Sequence, residues 1–399
     1  MTRALVLAPW FPNRPGDRDG NFIYDSANAL ARAGVSVAVL VVRPLLRTRL
    51  GQARYRSLSG HFDAAAFPQF AEVRLAHYLS VPGSRLPRLS AWLHDAAVRR
   101  VLMDLGRSFK PTVIHAHTEG EAPVAVAVGK ALGVSVVVTV HGINTAPRYF
   151  GSAYRRERLA TALRAADRVV LVGKPLERPF AALVQNTDNF TVVPNGFTPP
   201  QLSPRRAAGS ERTLRFVAVA NLHPGKGIDI ALQALANARA RGLDDFTFTI
   251  VGDGAERPAL EALAAELGLN DRVRFSGACA HAEIYAFLTQ GDVFVLPSYR
   301  EAFGVAYLEA MAAGLLAIGV EGQGPSAFIR DGETGFLIPP QNVEALADCL
   351  LRLARDRATL QRVASAGQRH VMQELTWAHH AERLAALYND LPRQMGIPA

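Results

Sequence analysis

A chain of 399 residues exceeds what one ordinary hydrophobic core serves, so two domains are expected. Its 49% hydrophobic and 20% charged residues exclude extensive disorder, and only two cysteines, Cys279 and Cys349, exclude a disulfide framework or a Cys-rich zinc site and suit a reducing cytoplasm. The formal charge of +9, nearly all of it from Arg, fits phosphorylated substrates, anionic headgroups or nucleic acid, and nucleic acid is set aside for want of zinc-finger spacing, a ribonucleoprotein aromatic motif or a long basic run.

The first apolar run, residues 4–8, stops at Pro9-Trp10-Phe11-Pro12, too short for a signal peptide, and is predicted to be a buried strand. No run approaches the roughly 18 apolar residues that a spanning helix needs, so a soluble or peripheral protein is expected. The basic segments 43–56 and 85–100 are either a face turned to a membrane or a solvated Arg-rich surface. Short Val-rich runs then alternate with amphipathic stretches, the pattern of parallel strands covered by helices. In the first half, strands are predicted at 4–8, 35–42, 113–115, 134–140, 168–172 and 191–193, and helices at 22–33, 121–132 and 154–166. Gly34 and Gly133 stand where a helix takes its C-terminal glycine. Pro194-Asn195-Gly196-Phe197 opens a Pro-, Ser- and Arg-rich linker, and the alternation restarts with strands at 214–220, 246–251, 273–276, 293–296, 315–319 and 335–338. A last helix is predicted over 377–391. Two successive parallel α/β units of similar size imply a cleft between two sheets, with ligands beyond the carboxyl ends of the strands.

Residues at those ends carry the chemistry. In the loop after the first strand, Gly20, before Asn21 and Phe22, permits an approach that a side chain would block. Asp17-Arg18-Asp19 is formally a D-x-D, treated as coincidence ahead of a first helix. His115 and His117 have a spacing that suggests metal, but no Cys, Asp or Glu constellation accompanies them, and acceptor-side or structural roles are expected. His141 follows a buried strand and precedes Gly142. In the second half, Asn221-Leu222-His223-Pro224-Gly225-Lys226-Gly227 is a Gly-rich turn that brings backbone and one Lys to an anion. A charge-assisted bond from Lys226 to phosphate contributes about 1.5–3 kcal/mol. After the strand at 293–296, Glu301 lies in a loop, a helix opens near Phe303, Gly304 and Val305, and Glu309 follows on that helix among Val, Ala, Leu and Met. The helix start offers unsatisfied amides and a dipole worth roughly 0.3–2 kcal/mol to an anion. A carboxylate buried as Glu309 would be is costly unless a ligand with vicinal hydroxyls supplies donors.

The spacing Glu301-x7-Glu309, followed by Ala-Met-Ala-x-Gly, resembles the E-x7-E segment of retaining family 4 glycosyltransferases of GT-B fold, and the resemblance covers nearly the whole chain. It implies an α/β chain of two Rossmann-like domains with parallel sheets facing a central cleft. These are an N-terminal acceptor-side domain (1–197), a linker (198–212), a nucleotide-sugar-binding domain (213–375) and a C-terminal helix (376–399) packing back towards the first domain. By the match, Glu309 holds the donor ribose, Glu301 the hydroxyls of the donor sugar, and Phe303, Gly304 and Val305 present amides to sugar and diphosphate. Lys226 binds the diphosphate. Asn221 stands where the family pattern has Arg, so Lys226 carries more of that charge or another Arg substitutes. His141 is placed on the sugar's 6-hydroxyl near the reacting carbon, Gly20 near the diphosphate, and Gly277 to His281 near the base. Asn21 and His117 are acceptor-side candidates. The implied reaction moves a hexose from a nucleotide diphosphate sugar, UDP-linked or GDP-mannose, to a saccharide or lipid-linked acceptor of bacterial surface polysaccharides. It retains configuration through a short-lived oxocarbenium-like species, without metal or other cofactor, at the cytoplasmic face of the membrane. A nucleotide-sugar epimerase or phosphorylase of similar fold, and a non-catalytic sugar-nucleotide binder, are the alternatives; an NAD enzyme is disfavoured because no G-x-G-x-x-G opens the first helix.

Overall fold

The computed structural model describes residues 1–17, 20–45, 62–79, 86–142, 152–199 and 213–392. Residues 46–56 of the basic segment 43–56, the predicted linker from residue 200, and Arg18 and Asp19 of the D-x-D lie outside them. The chain forms two compact units, one of Met1–Asn195 with Trp377–Ala399, the other of Gly196–Thr376.

In unit 1, β1 (Arg3–Ala8), β2 (Ser36–Pro44), β3 (Glu72–Tyr78), β4 (Val113–His117), β5 (Ser135–Val140), β6 (Arg168–Leu171) and β7 (Phe190–Val192) make one sheet in the order β3-β2-β1-β4-β5-β6-β7, with every pair parallel. Parallel strands buried on both faces need continuous apolar runs, and residues 4–8 of β1 are wholly shielded. The helices are α1 (Asn21–Arg32), α2 (Pro87–Phe109), α3 (Ala122–Leu132), α4 (Ala153–Ala165) and α5 (Glu177–Val184). Of these, β3, α2 and α5 were not predicted.

Unit 2 repeats the plan. Its strands β8 (Leu214–Val219), β9 (Phe246–Val251), β10 (Val273–Gly277), β11 (Val293–Val295), β12 (Leu316–Val320) and β13 (Phe336–Ile338) run in the order β10-β9-β8-β11-β12-β13, again all parallel. The helices are α6 (Ile228–Ala240), α7 (Arg257–Glu266), α8 (His281–Leu288), α9 (Val305–Ala312), α10 (Val343–Arg355) and α11 (Arg357–Glu374). At the amino end of β11, Asp292 receives Arg215 through Nε at 3.0 Å and Nη2 at 2.9 Å, and the Arg215 amide at 3.0 Å, clamping β8 to β11.

The final helix, α12 (Trp377–Asn389), belongs to unit 1. Its Trp377, His380, Ala381, Leu384 and Tyr388 recur at helical spacing and are buried. His380 Nε2 bonds Ser26 of α1 at 2.8 Å, and the Tyr388 hydroxyl meets His115 of β4. No helix among the described residues is long and apolar enough to cross a membrane.

Candidate functional site

In each sheet the strand order reverses once, between β8 and β11 in unit 2 and between β1 and β4 in unit 1. Ligands of open α/β sheets bind beyond the carboxyl ends at such a reversal. In unit 2 the loops leaving β8 and β11 carry the two strongest sequence motifs, and the structure brings them together. The Lys226 ammonium donates to Glu301 Oε2 at 2.7 Å, both side chains being largely shielded, at 18% and 14% exposure. Two backbone hydrogen bonds and one from a side-chain hydroxyl hold the loops in register. The Tyr299 amide and the Ser298 hydroxyl both reach the Gly225 carbonyl, at 3.0 and 2.9 Å, and Gly324 from the loop after β12 donates to the Glu301 carbonyl at 2.8 Å. The Glu301 amide in turn donates to Gln323 Oε1 at 3.0 Å.

Such close packing has a sequence cause. Gly227, with φ 71°, caps α6, and a Cβ there would stand 2.2 Å from the Pro297 carbonyl oxygen. Gly304, with φ 93°, caps α9 in the same left-handed conformation. Phe303 is buried against Phe328, with ring centroids 5.4 Å apart, and Val305 begins α9. Glu309 lies further along α9 and is 5% exposed among buried Leu308, Ala310 and Met311. His281 Nε2, at the start of α8, stands 3.4 Å from Glu309 Oε1. Burial and the Glu309 charge both raise the Tyr285 hydroxyl's pKa on the same helix. Gly277 ends β10 with φ 75° and accepts from the Gly252 amide at 2.8 Å. Asn221 is exposed at the end of β8, and its carbonyl accepts from the His223 amide at 2.9 Å. A phosphate group at these loops would meet a lysine, the start of α9 and two carboxylates able to accept hydroxyls.

In unit 1 the predicted residues divide. Gly20, φ 85°, caps α1, and its missing Cβ is accounted for by the Phe11 backbone, which a methyl group would approach to 2.7 Å. Asn21 is the first residue of α1, and Phe22 beside it packs on the His141 ring at a centroid distance of 4.7 Å. His117 is 1% exposed, its Nδ1 lies 2.9 Å from His141 Nε2, and the two rings stack. Among the described residues His117 Nε2 and His141 Nδ1 are buried without a partner, so each is a nitrogen that a ligand hydroxyl would satisfy. Burial, with the neighbouring His380, depresses the His141 pKa to about 3, so its imidazole is neutral. Asp17 is occupied with the turn, accepting from the Asn13 and Arg14 amides at 3.0 and 3.1 Å. No group of three or more His, Cys, Asp or Glu among the described residues is placed to hold a metal ion.

Sequence reasoning missed a second feature. At the reversal between β1 and β4, a cavity of about 160 Å³ is walled by Pro9 and Trp10 after β1, Thr118 to Glu121 after β4, Tyr78, and residues of α2 and α4. Glu119 and Glu121 are 3% and 4% exposed, and among the described residues Glu121 Oε2 has no hydrogen-bond partner. Its other oxygen meets His94 Nε2 at 3.2 Å, and His94 Nδ1 meets Asp95 at 3.1 Å. Burial alone would depress the His94 pKa, but Glu121 and Asp95 outweigh it and carry the value to about 10. Arg158 completes the row by pairing with Asp95. Thr118, a β-branched residue at φ 80° and ψ 142°, occupies a region that side chains rarely enter, the kind of strain that collects at ligand sites. A paired acid just past a buried strand was the available signal; the partners at 94 and 158 are brought in by the fold alone.

The described arrangement has close counterparts. Residues 20–199 match the family model for glycosyltransferase family 4, and residues 204–370 match that for glycosyl transferases group 1. A GDP-mannose-dependent alpha-(1-6)-phosphatidylinositol monomannoside mannosyltransferase of Mycobacterium tuberculosis is 26% identical over 96% of this chain and 97% of its own length. An alpha-D-kanosaminyltransferase of Streptomyces kanamyceticus is also 26% identical, over 70% of this chain and 77% of its own. Among solved structures, Anabaena HepE in complex with UDP and glucose superposes with a TM-score of 0.73 at 19% identity, over 98% of this chain and all (100%) of that one.

Proposed function

Because this chain belongs to the family 4 glycosyltransferases of GT-B fold, we propose that it is a retaining enzyme moving a hexose from a UDP- or GDP-linked donor to a saccharide or lipid-linked acceptor, without a metal. The observation that carries the donor reading is the meeting of Lys226 and Glu301 at 2.7 Å where the unit 2 sheet reverses, with Glu309 buried alongside. On this reading the diphosphate takes Lys226 and the α9 amides, where negative charge develops as the bond from the anomeric carbon to the phosphate oxygen breaks. Glu301 is freed to accept hydroxyls of the sugar, and Glu309 accepts those of the ribose. The acceptor oxygen bonds to the same anomeric carbon on the leaving-group face and gives up its proton to the departing phosphate.

The acceptor occupies the unit 1 cavity. Glu121 Oε2 is a buried acceptor in need of a donor, which a saccharide hydroxyl provides, and Trp10, Tyr78 and Tyr154 form part of the wall. The adjoining helix supports a membrane-bound acceptor. Leu86, just before α2, and Leu89 and Trp92 on it are 53%, 43% and 65% exposed, and Arg99, Arg100 and Arg107 follow on its exposed residues. Apolar and aromatic side chains with Arg suit an anionic bilayer surface.

Nucleotide release from a panel of UDP- and GDP-sugars, with the anomeric configuration of the product read by NMR and EDTA present in a parallel reaction, tests this. One donor is expected to be consumed, with configuration retained and EDTA without effect. Sugar interconversion with no acceptor consumed would instead identify an epimerase. Nucleotide binding without turnover would leave a binder, and loss with EDTA restored by manganese would refute metal independence.

A further inference from the structure

We infer that Arg300 grips the donor's diphosphate and supplies the cationic contact that Asn221 does not; this rests on the donor reading above. Lys226 is the cation within the β8 turn, yet Glu301 already neutralises it at 2.7 Å. A diphosphate entering there meets a pair with no net charge and needs another cation. Arg257, which follows the loop packed on Leu222, is committed to Glu261 and Asp253. Arg300 differs from it. It immediately precedes Glu301, it is exposed, and among the described residues it has no ion pair or hydrogen bond.

Its position is defined by Gly225. That glycine has φ 102°, and a Cβ on it would stand 3.1 Å from both Cβ and Cδ of Arg300, so the arginine stem lies along the glycine turn. The guanidinium is thereby carried on the turn that begins at Asn221 and contains Lys226. Its planar fork matches two phosphate oxygens at once, which an ammonium cannot do. The tether also restricts the stem before a ligand arrives, which lowers the ordering cost of the contact.

Calorimetric titration with UDP, GDP and ADP, and with the nucleoside of whichever binds, tests the assignment on wild type, Arg300→Met, Arg300→Lys, Lys226→Met and Asn221→Arg/Arg300→Met of unchanged melting temperature. Arg300→Met is expected to weaken the diphosphate at least about tenfold while leaving the nucleoside within about twofold. Arg300→Lys falls between, and Asn221→Arg in the Met background restores most of the loss. Wild-type diphosphate affinity in Arg300→Met, with Lys226→Met impaired, overturns the role of Arg300 and leaves the donor reading standing. Equal losses for diphosphate and nucleoside overturn it too, by showing a structural effect. Failure of every nucleotide to bind wild type overturns both.

Discussion

Acidification is expected to open unit 1 before unit 2. His115, His117 and His380 are 0%, 1% and 2% exposed. Burial, reinforced at His115 and His117 by neighbouring imidazoles, lowers the pKa of His115 to about 3 and that of His117 well below its usual value. Burial also brings His380 to about 4. In an unfolded chain each titrates near 6.5, so below that pH the unfolded state binds protons the native state refuses. With folded values depressed, the stability is complete above about pH 6.5 and drains as pH falls, by about 1.36 kcal/mol per histidine per unit. Three give about 4 kcal/mol per pH unit, against a net stability of roughly 5–15 kcal/mol for a domain. His141 adds to the trend. Asp25, raised by burial to about 6, gains a proton in the native state first and so opposes the loss between there and its ordinary 3.8, by at most one histidine's worth. His94, held to about 10, keeps its proton in both states below its unfolded value and takes no part. None of the described histidines of unit 2 is buried. Peptide-resolved hydrogen exchange, corrected for intrinsic rates, is the assay. Protection in β4 and β5 is expected to collapse near pH 5 while β8 and β9 stay protected, and His380→Gln should lower the slope. Simultaneous loss in both units, or a unit 1 intact at pH 4, would show that the buried histidines do not set the acid stability of unit 1.

Gly227→Ala is expected to cost unit 2 about 1–3 kcal/mol, since the new methyl meets the Pro297 carbonyl and the φ is left-handed; urea melts check the stability, and nucleotide titration should show binding lost with it. Asp292→Ala strands a largely shielded guanidinium and should cost about 2–4 kcal/mol by the same melts, with nucleotide affinity in the folded fraction unchanged because the clamp is at the far ends of the strands. Glu121→Gln removes the buried charge opposite His94 while keeping the shape. It should raise the KM for acceptor about tenfold or more and leave donor affinity intact, and a raised donor KM instead would contradict the acceptor assignment.

The legible parts of this molecule are those where one residue's neighbours in sequence are also its neighbours in space. The buried strands announce themselves as Val-rich runs, and Lys226, Glu301 and Glu309 sit in strand-loop-helix turns whose glycines are needed locally. β3 escaped because it lies at the sheet edge, half-buried, and its Glu72-Val73-Arg74-Leu75-Ala76-His77-Tyr78 pattern mixes charge with apolar residues. α2 escaped because its exposed stripe carries Leu89 and Trp92, blurring the usual polar outer face. The unit 1 cavity depends on His94, Glu121 and Arg158, residues from three elements that only tertiary folding assembles. Gly20 was legible as a required glycine, but the contact requiring it within the unit is the Phe11 backbone.

On the proposed function Lys226 binds the donor's diphosphate and Glu309 its ribose. Nucleotide release from the donor that wild type consumes, measured alongside Lys226→Ala and Glu309→Ala, tests it most directly. Both variants, folded, should lose donor affinity by about ten- to a hundredfold, and release should fall accordingly. Release at the wild-type rate and KM in either variant would show that the residue replaced does not bind the donor.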